Sequence, residues 1–444
     1  MFRYLNKFIW LSLGISLSGC MGFSDGTAKV KAPVNLKIVD VNSSFVESSS
    51  PLVQAVFVNP EIARSFAEIE ATKSKVLILN VNKASKIDLS GSTGFSSSNN
   101  LSAKAGAIVT IKAHRLLFDN GQTDRSILLS EFQAKSKIQE ALITVDKKLH
   151  KILTVYIEQT TSQEIIKIID YYLDLYNERE NLILSAVQVG VLSKSDYLEV
   201  KSLKNDILSE RAQAELNISK AASFFKKTLG PNSSMALSDL STRYKNWQYP
   251  ILDIAASPQK NLIDLQISRL NVEIKIQNER NKPISRWEAS ISSPKTNSSD
   301  TTLFAGVTVS LPIKDGGDAL ARIEVFSKEL TVAKLNLEVL ANTVALSRNS
   351  LVSFENYYKK QKELLIERKA ISTERIVDLE LRLKAGRSNV KELTKEILAG
   401  ANIEMALVKL EAEYSLLSVQ TAAVVSQSCG ILMLCKLINK PLLQ

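Results

Sequence analysis

Residues 122–189 contain neither glycine nor proline, and neither do residues 318–385; each run is 68 residues long and ends at a glycine, Gly190 or Gly386. The glycines in front of the runs, Gly121 and Gly317, are 196 apart, as are the two behind them. Glycine and proline are the residues that end helices, so two unbroken runs of this size predict very long helices. At ~1.5 Å per residue each would extend on the order of 100 Å. A rod of that length gains its stability from packing along its side.

The apolar spacing says how it packs. The second run carries Ile323, Phe326, Leu330, Ala333, Leu337, Leu340, Val344, Leu351, Phe354, Tyr358 and Leu365, with Ser347 and Gln361 as the interruptions. The first carries Leu142, Val145, Leu149, Ile152, Tyr156, Ile166, Ile169, Leu173 and Tyr176 in the same three-four rhythm. A sustained period of about 3.5 residues means coiled-coil packing. Shorter helical runs return after Gly190 and Gly386, so each half predicts a long antiparallel hairpin with a glycine at its tip. Segments before and after the long runs are mirrored too. "VNPEIARSFAEIEATKSK" near Asn59 matches "ASPQKNLIDLQISRLNVE" near Ser257, and "VLSKSDYLEVKSLKNDI" matches "RSNVKELTKEI". The chain is a tandem duplication, with a period longer than that of the usual solenoid repeats.

Ahead of each long helix lie two segments of period two, the strand signature. In the first half Ile87, Leu89, Gly91, Thr93 and Phe95 alternate with Lys86, Asp88, Ser90, Ser92 and Ser96. Leu101 to Ala113 then alternates with Ser102 to His114. In the second half Trp287, Ala289 and Ile291 alternate with Arg286, Glu288, Ser290 and Ser292, and Leu303 to Ile313 alternates with Thr302 to Pro312. One reading is a water-soluble antiparallel sheet with one dry face. The other is a transmembrane barrel, whose strands are about 9–11 residues long. Four strands cannot close such a barrel, and hydrocarbon does not tolerate an open sheet edge. On the second reading several chains must contribute strands to one barrel.

The N-terminus favours that reading. Arg3 and Lys7 flank "FIWLSLGISLS", an apolar core too short to span a bilayer. "LSGC", ending at Cys20, resembles a bacterial lipobox, in which the cysteine is acylated and becomes the mature N-terminus. Acyl chains add about 0.8 kcal/mol per buried methylene. An acylated (palmitate-bearing) Cys20 would therefore hold the chain at a membrane. Met21 replaces the aspartate of the familiar inner-membrane retention signal, which leans toward the outer membrane. Net charge is +10, and +8 once Arg3 and Lys7 leave with residues 1–19. The lysines are spread along the chain of an exported protein, so they read as solvated helix faces and not as a nucleic-acid surface. Cys429 and Cys435 are the only other cysteines. In an oxidising compartment they could form a local disulfide, or remain free thiols.

These features resemble the TolC-type outer-membrane channel-tunnel family over nearly the whole mature chain. The resemblance rests on the two strand–strand–long helix–helix repeats, on "NPE" at Asn59 to Glu61, and on "LLFDNGQT" with its counterpart "LPIKDGG". It rests also on "VGVLSKSDYLEV", with Gly190, Asp196 and Leu198 in the family's spacing. It implies a mainly α fold with β: tandem coiled-coil hairpins forming an α-barrel, and four strands per chain shared in a trimeric, twelve-stranded transmembrane barrel. It implies a homotrimer in outer-membrane lipid, working passively with a periplasmic adaptor (membrane-fusion) protein at the tips Gly190 and Gly386. The third component would be an inner-membrane transporter of ABC, RND or MFS type, in drug efflux or type I secretion. No cofactor, metal or nucleic acid is implied.

The family narrows its tube with acidic side chains from the helix after the second glycine. Counting from Gly386 puts Glu392 at the first acidic position and Lys395 at the second, while aligning on Leu393 puts Lys391 at the first. The first repeat holds Asp196 and Glu199. The implied aperture is a ring of Asp196, Glu199 and Glu392 partly neutralised by Lys391 and Lys395; ordinary solvated helix ends are the alternative.

The layout expected is a signal peptide at 1–19, a lipidated linker at 20–58, and a first repeat at 59–229 with strands within 85–114. A connection at 230–256 leads to a second repeat at 257–428 with strands within 285–313, and a tail at 429–444 follows. An enzyme is disfavoured: the two histidines, His114 and His150, have no ligand pattern, and Gly316–Gly317 lacks the lysine and spacing of a phosphate loop. The remaining alternative is a periplasmic coiled-coil lipoprotein acting as adaptor or scaffold, although adaptors usually carry one hairpin and this chain carries two.

Overall fold

The structure, a computed structural model, describes residues 50–81, 83–96, 104–246, 253–294, 302–311, 316–435 and 437–438. The expected signal peptide, Cys20 and most of the linker lie outside the described residues, as do 97–103, 247–252, 295–301 and 312–315.

Both glycine-free runs are single helices, α3 (Gln122–Gln188) and α7 (Asp318–Lys384). Gly121 at φ 73° and Gly317 at φ 87° precede them in the left-handed conformation that a side chain disfavours. Asp119 caps α3, its carboxylate accepting from the N–H groups of Gly121 at 3.0 Å and Thr123 at 2.7 Å. At the far ends the tips use one device twice. Gly190 and Gly386 have φ 79° and 70°. The next N–H reaches back at 2.8 Å in both cases, Val191 to the Ala186 carbonyl and Arg387 to the Arg382 carbonyl. The return helices α4 (Lys194–Leu229) and α8 (Val390–Val424) then start on side-chain caps, Ser193 and Asn389.

Shorter helices α1 (Pro51–Phe57), α2 (Pro60–Val81), α5 (Ser233–Lys245) and α6 (Pro258–Asn278) complete the two halves, and α9 (Ser428–Ile431) follows α8. The expected connection at 230–256 thus contains a helix, and the expected tail begins as a buried turn. Helix α3 lies between α4 and α8; α7 packs along α8 and, near the sheet, along α6. One core gathers α1, α2, α3, α4, α5, α8 and α9 around Leu149, Ile152 and Ile157, and a second nearer the tips gathers α3, α4 and α8 around Ile169, Tyr176 and Ile397.

The strands are β1 (Lys86–Ser96), β2 (Lys104–Phe118), β3 (Ile284–Pro294) and β4 (Thr302–Ser310). They form one antiparallel sheet in the order β1-β2-β3-β4, so the strands of the two repeats meet at β2–β3. Two expected ends are corrected. Strand β2 runs past 114 to Phe118 because a bulge at Leu116–Phe118 breaks its alternation while pairing to β3 continues. Strand β4 stops at Ser310, short of the expected 313, and Leu311 is outside it.

Candidate functional site: the sheet and the hairpin tips

Register puts the alternation of all four strands in phase. Ile87, Ala113, Ala289 and Ala305 share one row, and Leu89, Ile111, Ile291 and Leu303 share the next on the same face. Apart from Arg115, which lies beside Trp287, this face is largely apolar and it is bare: Ile87, Leu89 and Leu303 are 76%, 73% and 74% exposed. The bulge turns Phe118 into this face beside Val309, through Ser285.

The opposite face carries the charges. Its rows run Lys86–His114–Glu288 and Asp88–Lys112–Ser290. Lys112 Nζ lies 3.2 Å from Glu288, and His114 Nδ1 lies 3.3 Å from Asp88. Thr110 and Ser292 hydroxyls meet at 3.0 Å farther along, and Ile108, Leu116 and Phe304 are among the apolar residues on this face. Strands β1 and β4 are the two edges, without strand partners on their outer sides among the described residues. A sheet dry on one face, ion-paired on the other and open at both edges fits a section of a barrel wall. Among the described residues no helix is long and apolar enough to cross a membrane.

At the other end of the rods the first turns of α4 and α8 lie side by side. Lys391 pairs with Asp196 and, at 3.0 Å, with Glu199; Lys395 also pairs with Glu199. Asp196 further closes a capping box with Ser193. The Lys391 ammonium, then the Ser193 hydroxyl and N–H, pull the Asp196 carboxyl down to about 2. Lys395 and then Lys391 hold Glu199 below the usual carboxylate range. The structure therefore brings four of the five sequence-designated aperture residues into one ion-paired cluster. Glu392 is apart from it, exposed, its backbone N–H on Asn389 and its carboxylate 3.2 Å from Ser388 Oγ. Between the two tips lies a cleft of about 650 Å³, floored by Leu182, Leu192, Leu383 and Leu393 and edged by Arg179 and Glu380. Cys429 and Cys435 are joined in a disulfide. His150 is half-buried in α3, where burial lowers its pKa. No group of three or more metal-ligating side chains occurs among the described residues.

One surface escaped the sequence reading. Val325, Val332, Val339 and Leu346 on α7 are spaced by seven, as are Tyr357, Leu364 and Ile371 after an eleven-residue step, and all are 49–68% exposed. The step of eleven is a stutter in a heptad pattern. Counting a second apolar phase in the run would have found it.

No protein-family model matches the sequence, and no curated protein sequence matches it. Solved structures do match. The outer membrane protein VceC from Vibrio cholerae aligns at TM-score 0.72 and 11% identity, over 85% of this chain and 95% of its own. The CmeC outer membrane channel of Campylobacter jejuni aligns at TM-score 0.69 and 12% identity, over 85% of this chain and 86% of its own. The open state of the MtrE outer membrane channel of Neisseria gonorrhoeae aligns at TM-score 0.68 and 13% identity, over 85% and 88%. The chain has the TolC-type channel-tunnel fold. Coverage this complete includes both hairpins and the sheet, so the TolC-type architecture is a property of the whole described chain and not of one repeat.

Proposed function

We propose that the chain is one protomer of a trimeric outer-membrane exit duct, through which cargo passes passively from periplasm to exterior. The observation that carries this reading is the open sheet: a bare apolar face, a charged face and two unpaired edges, continuous with rods of 67 residues. Three copies would join β4 of one chain to β1 of the next and close twelve strands, apolar face to lipid and charged face to water. The exposed second stripe of α7 supports it, because a rod that leaves valines and leucines in water at heptad spacing needs a neighbouring rod. The fold adds support, since the structures that share it are named as outer-membrane proteins or channels.

In this reading the rods form the periplasmic tube and the tips at Gly190 and Gly386 meet an adaptor, which links the duct to an inner-membrane transporter of ABC, RND or MFS type. Drug efflux and type I secretion both use such a duct. Asp196, Glu199, Lys391 and Lys395, with Glu392, would border its narrow end, and acylated Cys20 would add a lipid anchor. The deciding experiment reconstitutes the purified mature chain in a planar bilayer and weighs it in detergent. Trimers that raise bilayer conductance are expected. A water-soluble monomer without conductance would end the duct reading.

A further inference from the structure

The last described stretch of the chain is a working part of the core. Ile431, Leu432, Leu434 and Ile438 are buried in the cluster that includes α3 and α8. The Cys429–Cys435 disulfide closes this stretch into a small ring, across which the Leu434 N–H donates to the Cys429 carbonyl at 2.9 Å. From the other side comes Asp146 of α3, only 4% exposed. Its carboxylate accepts from the Ser428 hydroxyl at 3.0 Å and from the Cys429 N–H at 3.2 Å. Arg243 of α5 donates to the Leu432 carbonyl at 3.2 Å while pairing with Asp239 at 2.9 Å, and Asp239 accepts from Ser50, the cap of α1. One short loop is thus gripped by α3 and α5, and through Asp239 by α1.

Two features show that the loop depends on being gripped. Ser426 and Met433, on either side of Cys429, have φ of 53° and 54°. Residues with a side chain persist in that region only where their surroundings over-determine them. And a carboxyl group as deeply buried as Asp146 is costly unless hydrogen bonds satisfy it; Ser428 and Cys429, which supply them, both belong to the loop.

We propose that oxidation of Cys429 and Cys435 sets a clasp that fastens the C-terminal segment to α3, with Asp146 as its keeper. The oxidant is a disulfide of a thiol–disulfide exchange protein. The thiolate of Cys435, the less buried of the two, attacks that disulfide and displaces one of its sulfurs as thiolate. The Cys429 thiolate then attacks the Cys435 sulfur, closing the ring and releasing the second. Two electrons and two protons pass from the cysteines to the exchange protein, which departs as a dithiol. Because docking buries Cys429, oxidation precedes docking, and the finished bridge is shielded from reductant. The clasp concerns the chain's own folding, so it stands or falls separately from the duct reading.

Amide hydrogen exchange on the full mature chain tests it, with the bridge oxidised, or reduced in denaturant, alkylated and refolded. In the reduced chain, and in the Cys429→Ser/Cys435→Ser variant without any reductant, amides of residues 426–438 exchange at least tenfold faster, while those near Gly190 do not change. Asp146→Leu, of similar size and without any acceptor, accelerates exchange in the same segment with the bridge intact; Asp146→Asn, whose Oδ1 still accepts from the Cys429 N–H, does so less. Equal protection in reduced and oxidised chains would overturn the lock. Unchanged protection in both Asp146 variants would overturn the keeper.

Discussion

Helices α3 and α7 are duplicates in length, in the left-handed glycine before them and in the turn after them, yet their environments are opposite. α3 buries Leu149, Ile152, Leu153, Ile157, Ile169 and Tyr176 on more than one face. α7 buries only Ala319, Ala333, Val344 and Ser372, and its apolar stripe from Ile323 to Leu365 is otherwise half-covered. The repeat offset explains the divergence residue by residue. The positions of Leu142, Ile152, Tyr172 and Tyr176 in α3 are filled in α7 by Glu338, Arg348, Arg368 and Ser372. One copy has become the centre of the protomer, packed by α4 on one side and α8 on the other. The other has become its edge, with α8 behind it and its second stripe facing outward. The same rod therefore serves folding in one repeat and, on the proposed function, assembly in the other.

The largest effect that would break this comparison comes from trading substitutions between the rods. Leu149→Ala removes a side chain with no exposure from the core, and should destabilise the protomer by about 2–5 kcal/mol, seen as a lower unfolding midpoint. Val339→Asp with Leu346→Asp touches the exposed stripe of α7 and should leave helix content unchanged by circular dichroism. It should convert the trimer proposed above to monomer in detergent. If the α7 pair unfolds the chain while Leu149→Ala only dissociates it, the assignment of centre and edge is reversed.

A second contrast separates Asp146 of α3 from Asn342, its counterpart in α7. Burial pushes the Asp146 carboxyl up to about 7, although Ser428 and Cys429 donate to it. The folded chain thus holds this proton over a range where the unfolded chain, with its carboxyl near 3.9, has lost it. Such a group contributes most below the unfolded value, and stability falls as pH rises from about 4 to about 7. The expected scale is a few kcal/mol. Asp146→Asn should flatten that stretch of the stability–pH curve; an unchanged slope would mean that other groups set it.

How much of this was open to a reader of the sequence depends on whether the cause is local. The bounds of α3 and α7 were legible to within a residue, because the residues that end helices stand at Gly121, Gly190, Gly317 and Gly386 and nowhere between. The α7 stripe from Ile323 to Leu365 was legible because its spacing is intrinsic to the helix, whereas the second, exposed stripe from Val325 to Ile371 was not read. The four strands were legible as alternations, but the end of β2 was not, since a bulge at Leu116–Phe118 hides the period while hydrogen bonding goes on. The tip cluster was legible only as five charged residues. Which of them pair depends on α4 and α8 meeting from opposite halves of the chain, and Glu392 is left out for that reason. The C-terminal segment read as a tail, although "CGILMLCKLI" is apolar enough to have signalled burial. Its partner, Asp146, gave no signal at all.

A smaller effect sharpens the picture of α3 as the centre. At Gly400 of α8, the Tyr172 ring of α3 comes so near that an added Cβ would sit 2.9 Å from it. The Tyr172 hydroxyl goes on to Glu404 at 3.0 Å, which also pairs with Lys369 of α7. Glycine costs a helix interior up to about 1 kcal/mol, so close approach is the reason for it here. Gly400→Ala should lower stability by about 1–3 kcal/mol through overpacking. Combining it with Tyr172→Leu should recover part of the loss in thermal unfolding. A more stable Gly400→Ala would show that the ring can move aside.

The smallest expected effect on stability lies at the tips, where the two repeats differ in sign and not in shape. The position of Ser195 in the first tip is Lys391 in the second, and that of Glu199 is Lys395. The second repeat thereby supplies the cations that neutralise the acids of the first. These side chains lie at the surface and are half-buried to exposed, so Lys391→Gln should change stability by about 1 kcal/mol or less. Its electrical effect should be plain. Freed of Lys391, Asp196 and Glu199 present more uncompensated negative charge at the proposed narrow end, and carboxylates there favour cations. The reversal potential under a salt gradient should move toward cation preference in Lys391→Gln, and Glu392→Gln should move it weakly the other way. The pH dependence has a definite sign. Carboxyls held below their ordinary values keep their pairing above the usual carboxylate range and lose it only as pH falls, for Asp196 toward about 2. Conductance of the unsubstituted duct should therefore be flat from pH 7 down to about 4. A change of reversal potential within that window, or none in either variant, would mean that the narrow end lies elsewhere.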